Sequence, residues 1–292
     1  MRKNKSRQLF RSMLVDPVTH VLPVVYDAIS ARITAASGFS AALVSGNVSS
    51  AAQFGLPDLG LITLTEMTDH LRTLYSSAPL SYLVDADNGF GNAINVMRCV
   101  SEYESAGASA IMFEDTELPT RFGTTGMSFL SVEEMCRKLQ AALEARQDAD
   151  LVLVGRTDTV KALGIDEAVA RVRAYSAVGV DAIFVPGAQT RADFEALRSA
   201  TSLPIIGVGF PKPDPLTPPL EFLQYCGVGM TVTSTIPFQV SVKAIHEALL
   251  HIKKTGDIGA LEQSMCTRQF LDELLDAKSY QEQQNRFLVN NA

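Results

Sequence analysis

Cysteine, histidine and clustered positive charge are all scarce in this chain of 292 residues. The four cysteines lie far apart and form no C-x-x-C pair, so we expect reduced thiols and no disulfide framework. The four histidines have neither an H-E-x-x-H pattern nor a cysteine at ligand spacing, which argues against a structural zinc site. Basic residues number 25 and acidic residues 32, giving a net charge of −7. Because a phosphate backbone needs a clustered basic surface, no nucleic acid is expected as a partner.

The sequence also lacks the features of membrane and secreted proteins. Two uncharged runs, 33–57 and 222–242, have the length of a membrane span but are interrupted by Gly, Ser, Asn, Gln and Pro. Neither is expected to insert into a membrane. No apolar segment before Asp16 could serve as a signal peptide, which predicts a cytoplasmic protein. The basic residues within 2–11 are expected to form a solvated tail.

Short apolar segments alternate with amphipathic segments along the chain. The apolar segments predict eight strands, at 22–26, 41–45, 80–84, 110–113, 151–155, 182–185, 204–208 and 230–233. The amphipathic segments predict eight helices, at 28–36, 65–76, 93–106, 132–146, 166–178, 192–200, 216–225 and 240–253.

This alternation indicates parallel strands covered by helices, because most of the strands are too apolar to leave one face in water. Eight such units predict a closed (β/α)8 barrel, the TIM-type α/β fold. An open doubly wound sheet is the alternative, but Tyr26-Asp27-Ala28 stands where its G-x-G-x-x-G phosphate turn would follow the first strand. Gly107 and Gly179 each stand between a helix and a strand, where a helix is expected to stop.

We predict a single barrel domain over residues 1–292, with 255–292 as a C-terminal helical extension. Within it, segments 261–275 and 280–288 are helical in pattern and lie outside the eight units. They must pack against an apolar surface, either on a neighbouring subunit or on the chain's own barrel.

Acidic residues follow two neighbouring strands of the predicted barrel. Asp85 and Asp87 come after the third strand, and Glu114 comes after the fourth. The carboxyl ends of barrel strands meet at one end, so these side chains should converge. Three carboxylates repel one another unless a cation neutralises them, and oxygen ligands suit Mg²⁺. The sequence therefore predicts a magnesium site, unless the acids cap helices or pair with arginines instead.

Two further features point to an anionic substrate. Arg156 follows the fifth strand, and its guanidinium can hold a carboxylate with two hydrogen bonds, unless it pairs with Glu114 or Asp158. The S-G-N turn at 45–47 can present backbone N–H groups to an anion.

Two common mechanisms lack the residues that they need. A Schiff base requires a lysine at a strand end, and a Ser-His-Asp hydrolase requires a positioned histidine, but neither residue type follows a predicted strand. The remaining chemistry is a metal ion that acts as a Lewis acid on a carbonyl group while an adjacent bond breaks.

Six motifs resemble the isocitrate lyase and phosphoenolpyruvate mutase superfamily over about residues 9–250. They are V-Y-D-A-I-S-A at 25–31, S-G-N-V-S-S at 45–50, G-L-P-D-L-G at 55–60, D-A-D-N-G-F-G-N at 85–92, E-S-A-G-A-S-A-I-M-F-E-D at 104–115 and G-R-T-D at 155–158. The resemblance implies a Mg²⁺-dependent enzyme, with Mn²⁺ as an alternative ion, that acts on small 2-oxo or 2-hydroxy acids through an enolate of pyruvate. It also implies a homotetramer in which a C-terminal helix is exchanged between subunits.

The resemblance implies a role for individual residues as well. The metal is held, directly or through water, by Asp85, Asp87 and Glu114. The substrate carboxylate is bound by Ser45, Gly46 and Asn47, and the other end of the substrate by the catalytic Arg156. Two further catalytic positions, near the substrate and the metal, are filled by Tyr26 and Asp58. Two substrate-binding positions, after strands seven and eight, are filled by Phe210 and Thr235.

Four positions depart from the patterns of particular branches. Isocitrate and methylisocitrate lyases carry a K-[KR]-C-G-H loop whose cysteine protonates the departing carbon, and here Phe122 stands at the cysteine and Thr124 at the histidine. Losing that acid would slow such a reaction by about 10²–10⁴-fold. The pattern E-D-T-x-L-P-x-x-F-G at 114–123 is most similar to the oxaloacetate decarboxylase branch, in which no loop cysteine is used. That branch has a tyrosine and a histidine where this chain has Phe210 and Thr235.

The expected function is that of a Mg²⁺-dependent carbon–carbon lyase for a small 2-oxo or 2-hydroxy di- or tricarboxylate, with oxaloacetate as the leading substrate. One alternative is retro-aldol cleavage of the 2-methylisocitrate lyase type. Another is P–C chemistry of the phosphonopyruvate or phosphoenolpyruvate mutase type, although the loop 118–125 offers only Arg121 where those enzymes place a lysine and an asparagine. A barrel that binds a 2-oxo acid without turnover is the non-enzymatic alternative.

Overall fold

The computed structural model of the protein describes residues 2–209 and 219–288. The strands in these residues are β1 (His20–Leu22), β2 (Val24–Val25), β3 (Ala41–Val44), β4 (Ser81–Asp85), β5 (Ala110–Glu114), β6 (Val152–Arg156), β7 (Ala182–Phe184), β8 (Ile205–Val208) and β9 (Val228–Val232). All neighbours pair in parallel, in the order β1-β9-β8-β7-β6-β5-β4-β3-β2.

Pro23 divides the predicted first strand into two short strands. A proline has no N–H group to donate to a neighbouring strand. On one side of it β1 pairs with β9, and on the other side β2 pairs with β3. The carbonyl of Pro23 still accepts a hydrogen bond from the N–H of Leu43 at 2.9 Å. The two pieces together fill one strand position and join both ends of the sheet, so the predicted TIM-type α/β barrel is confirmed as a nearly closed barrel.

Helices cover the barrel, and the strands beneath them are apolar on both faces. Every residue of β4 and of β5 is buried, as predicted for parallel strands between helices. The helices in the described residues are α1 (Arg2–Val15), α2 (Ala28–Ala36), α3 (Gly46–Phe54), α4 (Leu64–Ser77), α5 (Ala93–Ala106), α6 (Val132–Ala145), α7 (Val160–Leu163), α8 (Ile165–Val178), α9 (Arg191–Ala200), α10 (Pro219–Tyr225), α11 (Ile236–Thr255), α12 (Arg268–Leu274) and α13 (Ala277–Leu288). As predicted, α5 and α8 stop at Gly107 and Gly179.

The chain divides into two compact units, Met1–Pro237 and Phe238–Ala292. The first unit contains all the strands named above, whereas most of α11 lies in the second. The second contains α12 and α13, which contact each other, and a 3₁₀ segment, Gly259–Ser264. The described residues include no helix that is long and apolar enough to cross a membrane. A single domain over 1–292 with 255–292 as an extension stays a prediction, as does the exchange of a helix in a tetramer.

The basic N-terminal segment is a helix, and the expectation of a solvated tail was wrong. In α1 the apolar side chains of Phe10, Met13 and Leu14 are buried. Arg7 is only 4% exposed, and its guanidinium contacts the Asp148 carboxylate at 2.6 Å and the backbone carbonyl oxygens of Glu104 and Ala108. Arg7 and Arg11 are therefore part of the folded structure, because they contact carboxylates and carbonyl groups of other segments.

Replacing Arg7 with methionine is expected to destabilise the protein. The substitution keeps a long side chain but leaves the Asp148 carboxylate and two buried carbonyl groups without their donor, at a cost of about 3 kcal/mol in the free energy of unfolding. Lys5→Met, which removes an exposed charge from the same helix, is the control. Thermal denaturation of both variants tests the contact, and equal melting temperatures would show that Arg7 is not a structural residue.

Candidate active site

The carboxyl ends of β4, β5 and β6 border a cavity of about 280 Å³, which we call the acid cavity. Barrel enzymes carry their reactive groups at this end. One basic side chain of the described residues, Arg156, lines the cavity together with six acidic ones. The acidic residues are Asp58, Asp85, Asp87, Glu114, Glu117 and Asp158. The cavity therefore carries a large excess of negative charge, and the three predicted metal ligands do come together in it.

Asp85 is the last residue of β4, and backbone groups hold its buried carboxylate in place. The N–H of Gly46, which begins α3, donates to Oδ2 at 3.3 Å, and the N–H of Asp87 donates to Oδ1 at 3.2 Å. The hydroxyl of Tyr103 donates to the backbone carbonyl of Asp85 at 3.4 Å. The position of this carboxylate is thus set by the strand end and by two neighbouring segments.

Asp87 lies in a turn with left-handed backbone conformations. The φ angle of Asp87 is 45° and that of Phe90 is 58°, a conformation that costs a residue with a side chain about 1–2 kcal/mol. The turn is held by hydrogen bonds of 2.8 Å from the N–H of Gly89 to the carbonyl of Ala86 and from the N–H of Glu114 to the carbonyl of Asp87. Strain of this kind persists only where the surroundings impose it, and it is frequent at functional sites.

A buried lysine supports the same turn. Lys138 on α6 is 3% exposed, and its ammonium group donates to the backbone carbonyl of Asn88 at 2.8 Å. The side-chain amide of Asn88 donates in turn to the carbonyl of Leu118 at 2.7 Å. Burial lowers the pKa of Lys138. The sequence correctly predicts this lysine on a helix, but a contact across 50 residues leaves no local pattern that could reveal its position next to the site.

Replacing Gly89 with alanine is expected to distort this turn. A Cβ atom there would lie 2.2 Å from Cγ2 of Val96, and the φ angle of 90° is unfavourable for any residue with a side chain. The clash and the strained backbone together should cost about 3 kcal/mol in the free energy of unfolding. Gly38→Ala is the matched control, because Gly38 has a φ angle of 87° but nothing within 4 Å of the added Cβ. Chemical denaturation should therefore show the larger loss for Gly89→Ala, and equal losses would rule out a steric role for Val96.

Arg156, the last residue of β6, connects acids from three places. Its Nε and Nη2 atoms donate to the carboxylate of Asp158 at 2.6 and 3.1 Å. Nη2 also lies 2.7 Å from Oε2 of Glu114, and Nη1 lies 3.3 Å from Oδ2 of Asp85. The pairing with Glu114 and Asp158 that the sequence left open is therefore present. It fixes the guanidinium group at the wall of the acid cavity.

Burial, and then the neighbouring negative charges, raise the pKa of two carboxyl groups in the acid cavity. Burial, with repulsion from Asp85 and Asp58, raises the pKa of Asp87 to about 7, although Arg156 opposes the shift. Burial raises the pKa of Glu114 well above its usual range, even though Arg156 lies next to it. One guanidinium group is not enough to keep these carboxylates ionised.

A divalent cation fits this set of side chains. The predicted ligands offer only carboxylate oxygens, which Mg²⁺ prefers, and Mg²⁺ commonly takes one or two protein carboxylates and completes its shell with water. The Asp87 carboxylate has no ion-pair partner in the described part of the chain. No three His, Cys, Asp or Glu side chains of the described residues are already arranged around one point as metal ligands. Arg156 contacts Asp85 and Glu114 instead. Gly46 leaves space beside the acids because it has no side chain. A Cβ atom at this position would lie only 2.9 Å from Oδ1 of Asp87.

The predicted carboxylate-binding turn lies at the start of α3. Ser45 is the N-cap residue, and its side chain makes no capping hydrogen bond. Gly46 is buried and Asn47 is exposed. The N-terminus of a helix favours an anion, and Gly46 already directs its N–H to Asp85. Gly46 thus contacts a residue of the acid cavity, and the binding of a substrate carboxylate by Ser45, Gly46 and Asn47 stays a prediction.

The other predicted residues have different positions. Tyr26 is half-buried at the end of β2, where its N–H donates to Oγ of Ser30 at 3.0 Å. Asp58 is an exposed residue that also lines the acid cavity. Partial burial, together with repulsion from Asp85, raises the pKa of its carboxyl group. Thr235 lies in the turn after β9 and does not belong to the described lining of the acid cavity. Phe210 lies outside the described residues.

Residues of the loop at 117–128 line part of the acid cavity. An isolated antiparallel bridge between Thr116 and Phe129 closes its base, and Glu117 pairs with Arg121 inside it. Phe122, at the position of the lyase cysteine, is fully exposed. The Gly- and Thr-rich composition of residues 120–128 predicts a lid that closes over the substrate, and that role stays a prediction.

Comparison with known proteins assigns the chain to a family. The family model for phosphoenolpyruvate phosphomutase matches residues 10–253. The chain belongs to this family. The resemblance to the isocitrate lyase and phosphoenolpyruvate mutase superfamily is thereby confirmed, on a match that contains every predicted site residue.

Individual members of the family are similar along nearly their whole length. The oxaloacetate decarboxylase of Bradyrhizobium diazoefficiens is 40% identical over 256 residues, which cover 88% of each chain. The crystal structure of phosphoenolpyruvate phosphomutase from Streptomyces platensis subsp. rosaceus is 28% identical with a TM-score of 0.88, covering 97% of this chain and 99% of that one. A structure of phosphonopyruvate hydrolase in complex with oxalate and Mg²⁺ is 27% identical with a TM-score of 0.85, covering 99% and 100%.

Proposed function

We propose that this chain is a Mg²⁺-dependent carbon–carbon lyase that removes CO₂ from oxaloacetate to give pyruvate. The observation that carries the proposal is the acid cavity, where one fixed arginine faces a group of carboxylates that need a further cation. The similarity to an oxaloacetate decarboxylase, at 40% identity over 88% of both chains, supports this substrate.

The residues divide into those that hold the ion and those that hold the substrate. Asp85, Asp87 and Glu114 would hold Mg²⁺, which when bound supplies Lewis-acid polarisation of a keto group. Arg156 would bind a substrate carboxylate with its planar guanidinium group, which the Asp158 carboxylate keeps in a fixed orientation. The turn at 45–47 would receive the other carboxylate.

The exposed Phe122 is compatible with decarboxylation. When the bond between C3 and C4 of oxaloacetate breaks, its electron pair moves toward the C2 keto oxygen and the departing group leaves as CO₂, which needs no proton. The remaining C3 carbon then takes a proton from water. Cleavage of the 2-methylisocitrate type needs an acid for the departing carbon, and Phe122 cannot provide one.

A coupled assay tests the proposal. Purified protein is given oxaloacetate with Mg²⁺ or with EDTA, and pyruvate is followed by a lactate dehydrogenase. We expect rapid pyruvate formation with Mg²⁺ and only the uncatalysed rate with EDTA, and release at the uncatalysed rate in both would contradict the proposal. Phosphorus NMR of a parallel sample with phosphonopyruvate would show new phosphorus signals if the chain instead performs P–C chemistry.

A further inference from the structure

A fully buried carboxylate joins the ends of two strands behind the acid cavity. Asp115 follows β5, and its side chain is 0% exposed. Its Oδ2 atom accepts hydrogen bonds from the hydroxyl of Tyr175 at 2.8 Å and from Nη1 of Arg171 at 3.1 Å. Its Oδ1 atom accepts one from the backbone N–H of Asp158, beyond the end of β6, at 3.2 Å. Two side chains of α8 thereby determine where the Asp158 backbone lies.

The next contact leads to the arginine of the acid cavity. Asp158 holds the guanidinium group of Arg156 with two hydrogen bonds. A guanidinium group that donates two hydrogen bonds to a carboxylate keeps its orientation only if that carboxylate is itself fixed. We propose that Tyr175 and Arg171 are positioning residues, which act through Asp115 and Asp158 to orient Arg156 toward the substrate. This inference rests on the proposed function, because it assumes that Arg156 binds a substrate carboxylate.

Arg171 and the Asp115 backbone also contact the chain just after the 117–128 loop. Nη1 of Arg171 also donates to the backbone carbonyl of Leu130 at 2.9 Å, and the N–H of Leu130 donates to the backbone carbonyl of Asp115 at 2.8 Å. The guanidinium carbon of Arg171 lies 5.8 Å from the ring centre of Phe129, at the base of the loop. The cluster therefore contacts both the segment that carries Asp158 and the base of a loop that lines the acid cavity.

Tyr175 is the member of the cluster whose contribution can be isolated most cleanly. Burial and the Asp115 carboxylate raise the pKa of Tyr175 far above its usual range, so the hydroxyl stays a donor at any working pH. Tyr175→Phe keeps the ring and removes the hydroxyl, which donates to Asp115 and accepts from Nη1 of Arg171 at 3.4 Å. Tyr82→Phe is the matched control, because Tyr82 is also fully buried and its hydroxyl donates to the carbonyl of Leu74 at 2.8 Å, outside the acid cavity.

The first measurement is amide hydrogen exchange and does not depend on activity. If Tyr175 fixes Asp115, then Tyr175→Phe should speed exchange of the Asp158 amide by about tenfold, and Tyr82→Phe should leave it unchanged. Unchanged exchange at Asp158 in Tyr175→Phe would overturn the proposal, whatever the enzyme does with oxaloacetate.

The second measurement is a double-mutant cycle on kcat/KM for oxaloacetate. Tyr175→Phe should lower kcat/KM on the order of tenfold, mainly through KM, in the otherwise unchanged protein. In an Arg156→Lys background, Tyr175→Phe should have almost no further effect on kcat/KM, since the guanidinium group that Tyr175 orients is already absent. An equal fold-loss in both backgrounds would show that Tyr175 acts on stability alone. If the unsubstituted protein does not turn over oxaloacetate, the proposed function fails, and the exchange experiment still decides the positioning role.

Discussion

Asp85→Asn is expected to lower kcat for oxaloacetate by about 10³-fold, because it removes one of the charges that the Mg²⁺ ion requires. The substitution keeps the size of the side chain, and an amide oxygen can still accept the hydrogen bond from the N–H of Asp87. Asp85→Asn removes the negative charge of the carboxylate that Gly46 and Arg156 contact. The loss should therefore come from weaker metal binding rather than from unfolding.

Two measurements separate these explanations. Calorimetric titration with Mg²⁺ should show binding to the unsubstituted protein and none to Asp85→Asn, while circular dichroism should show the same fold for both. Asp166→Asn, which makes the same chemical change at an exposed residue in the first turn of α8, is the control and should behave like the unsubstituted protein. Full Mg²⁺ binding by Asp85→Asn would remove Asp85 from the metal site.

Arg156→Lys should raise the KM for oxaloacetate by about 100-fold, although the positive charge is kept. The guanidinium group contacts Asp158 twice and reaches Glu114 and Asp85 as well, whereas an ammonium group is a single point of charge. A lysine can pair with one of these acids but cannot hold all of them and also offer a further N–H group to the substrate.

Steady-state kinetics check this expectation against Arg137→Lys. Arg137 is an exposed arginine of α6, so the same change there should leave both kcat and KM as they were. If Arg156→Lys kept the KM of the unsubstituted protein, Arg156 would serve only to neutralise its acidic neighbours and would not bind substrate.

The barrel and the convergence of the acids could be predicted from sequence because both follow from local periodicity. Apolar segments buried on both faces identified the strands, and the carboxyl end of each strand placed Asp85, Glu114 and Arg156 together. Both features need only the pattern of neighbouring residues. The division of the predicted strand 22–26 at Pro23 was not predicted, although the missing N–H of proline explains it.

Other parts of the site depend on contacts between distant residues, which a local pattern does not contain. Arg7 was interpreted as part of a solvated tail because its partners lie about 100 or more positions along the chain. Asp115 carried no distinguishing signal beside Glu114, since its role depends on Arg171 and Tyr175 of a later helix. The helix start near 46 was also missed, because Ser45 makes no side-chain capping bond.

The central claim is that a divalent ion binds among the carboxylates at the ends of β4 and β5. A crystal structure of the protein with Mg²⁺ and oxalate tests it most directly. We predict one ion in contact with Asp85, directly or through water, with Asp87 and Glu114 in its surroundings and oxalate bound between the ion and Arg156. A crystal that contains Mg²⁺ and oxalate but shows neither at this position, or shows the ion bound elsewhere, would contradict the account.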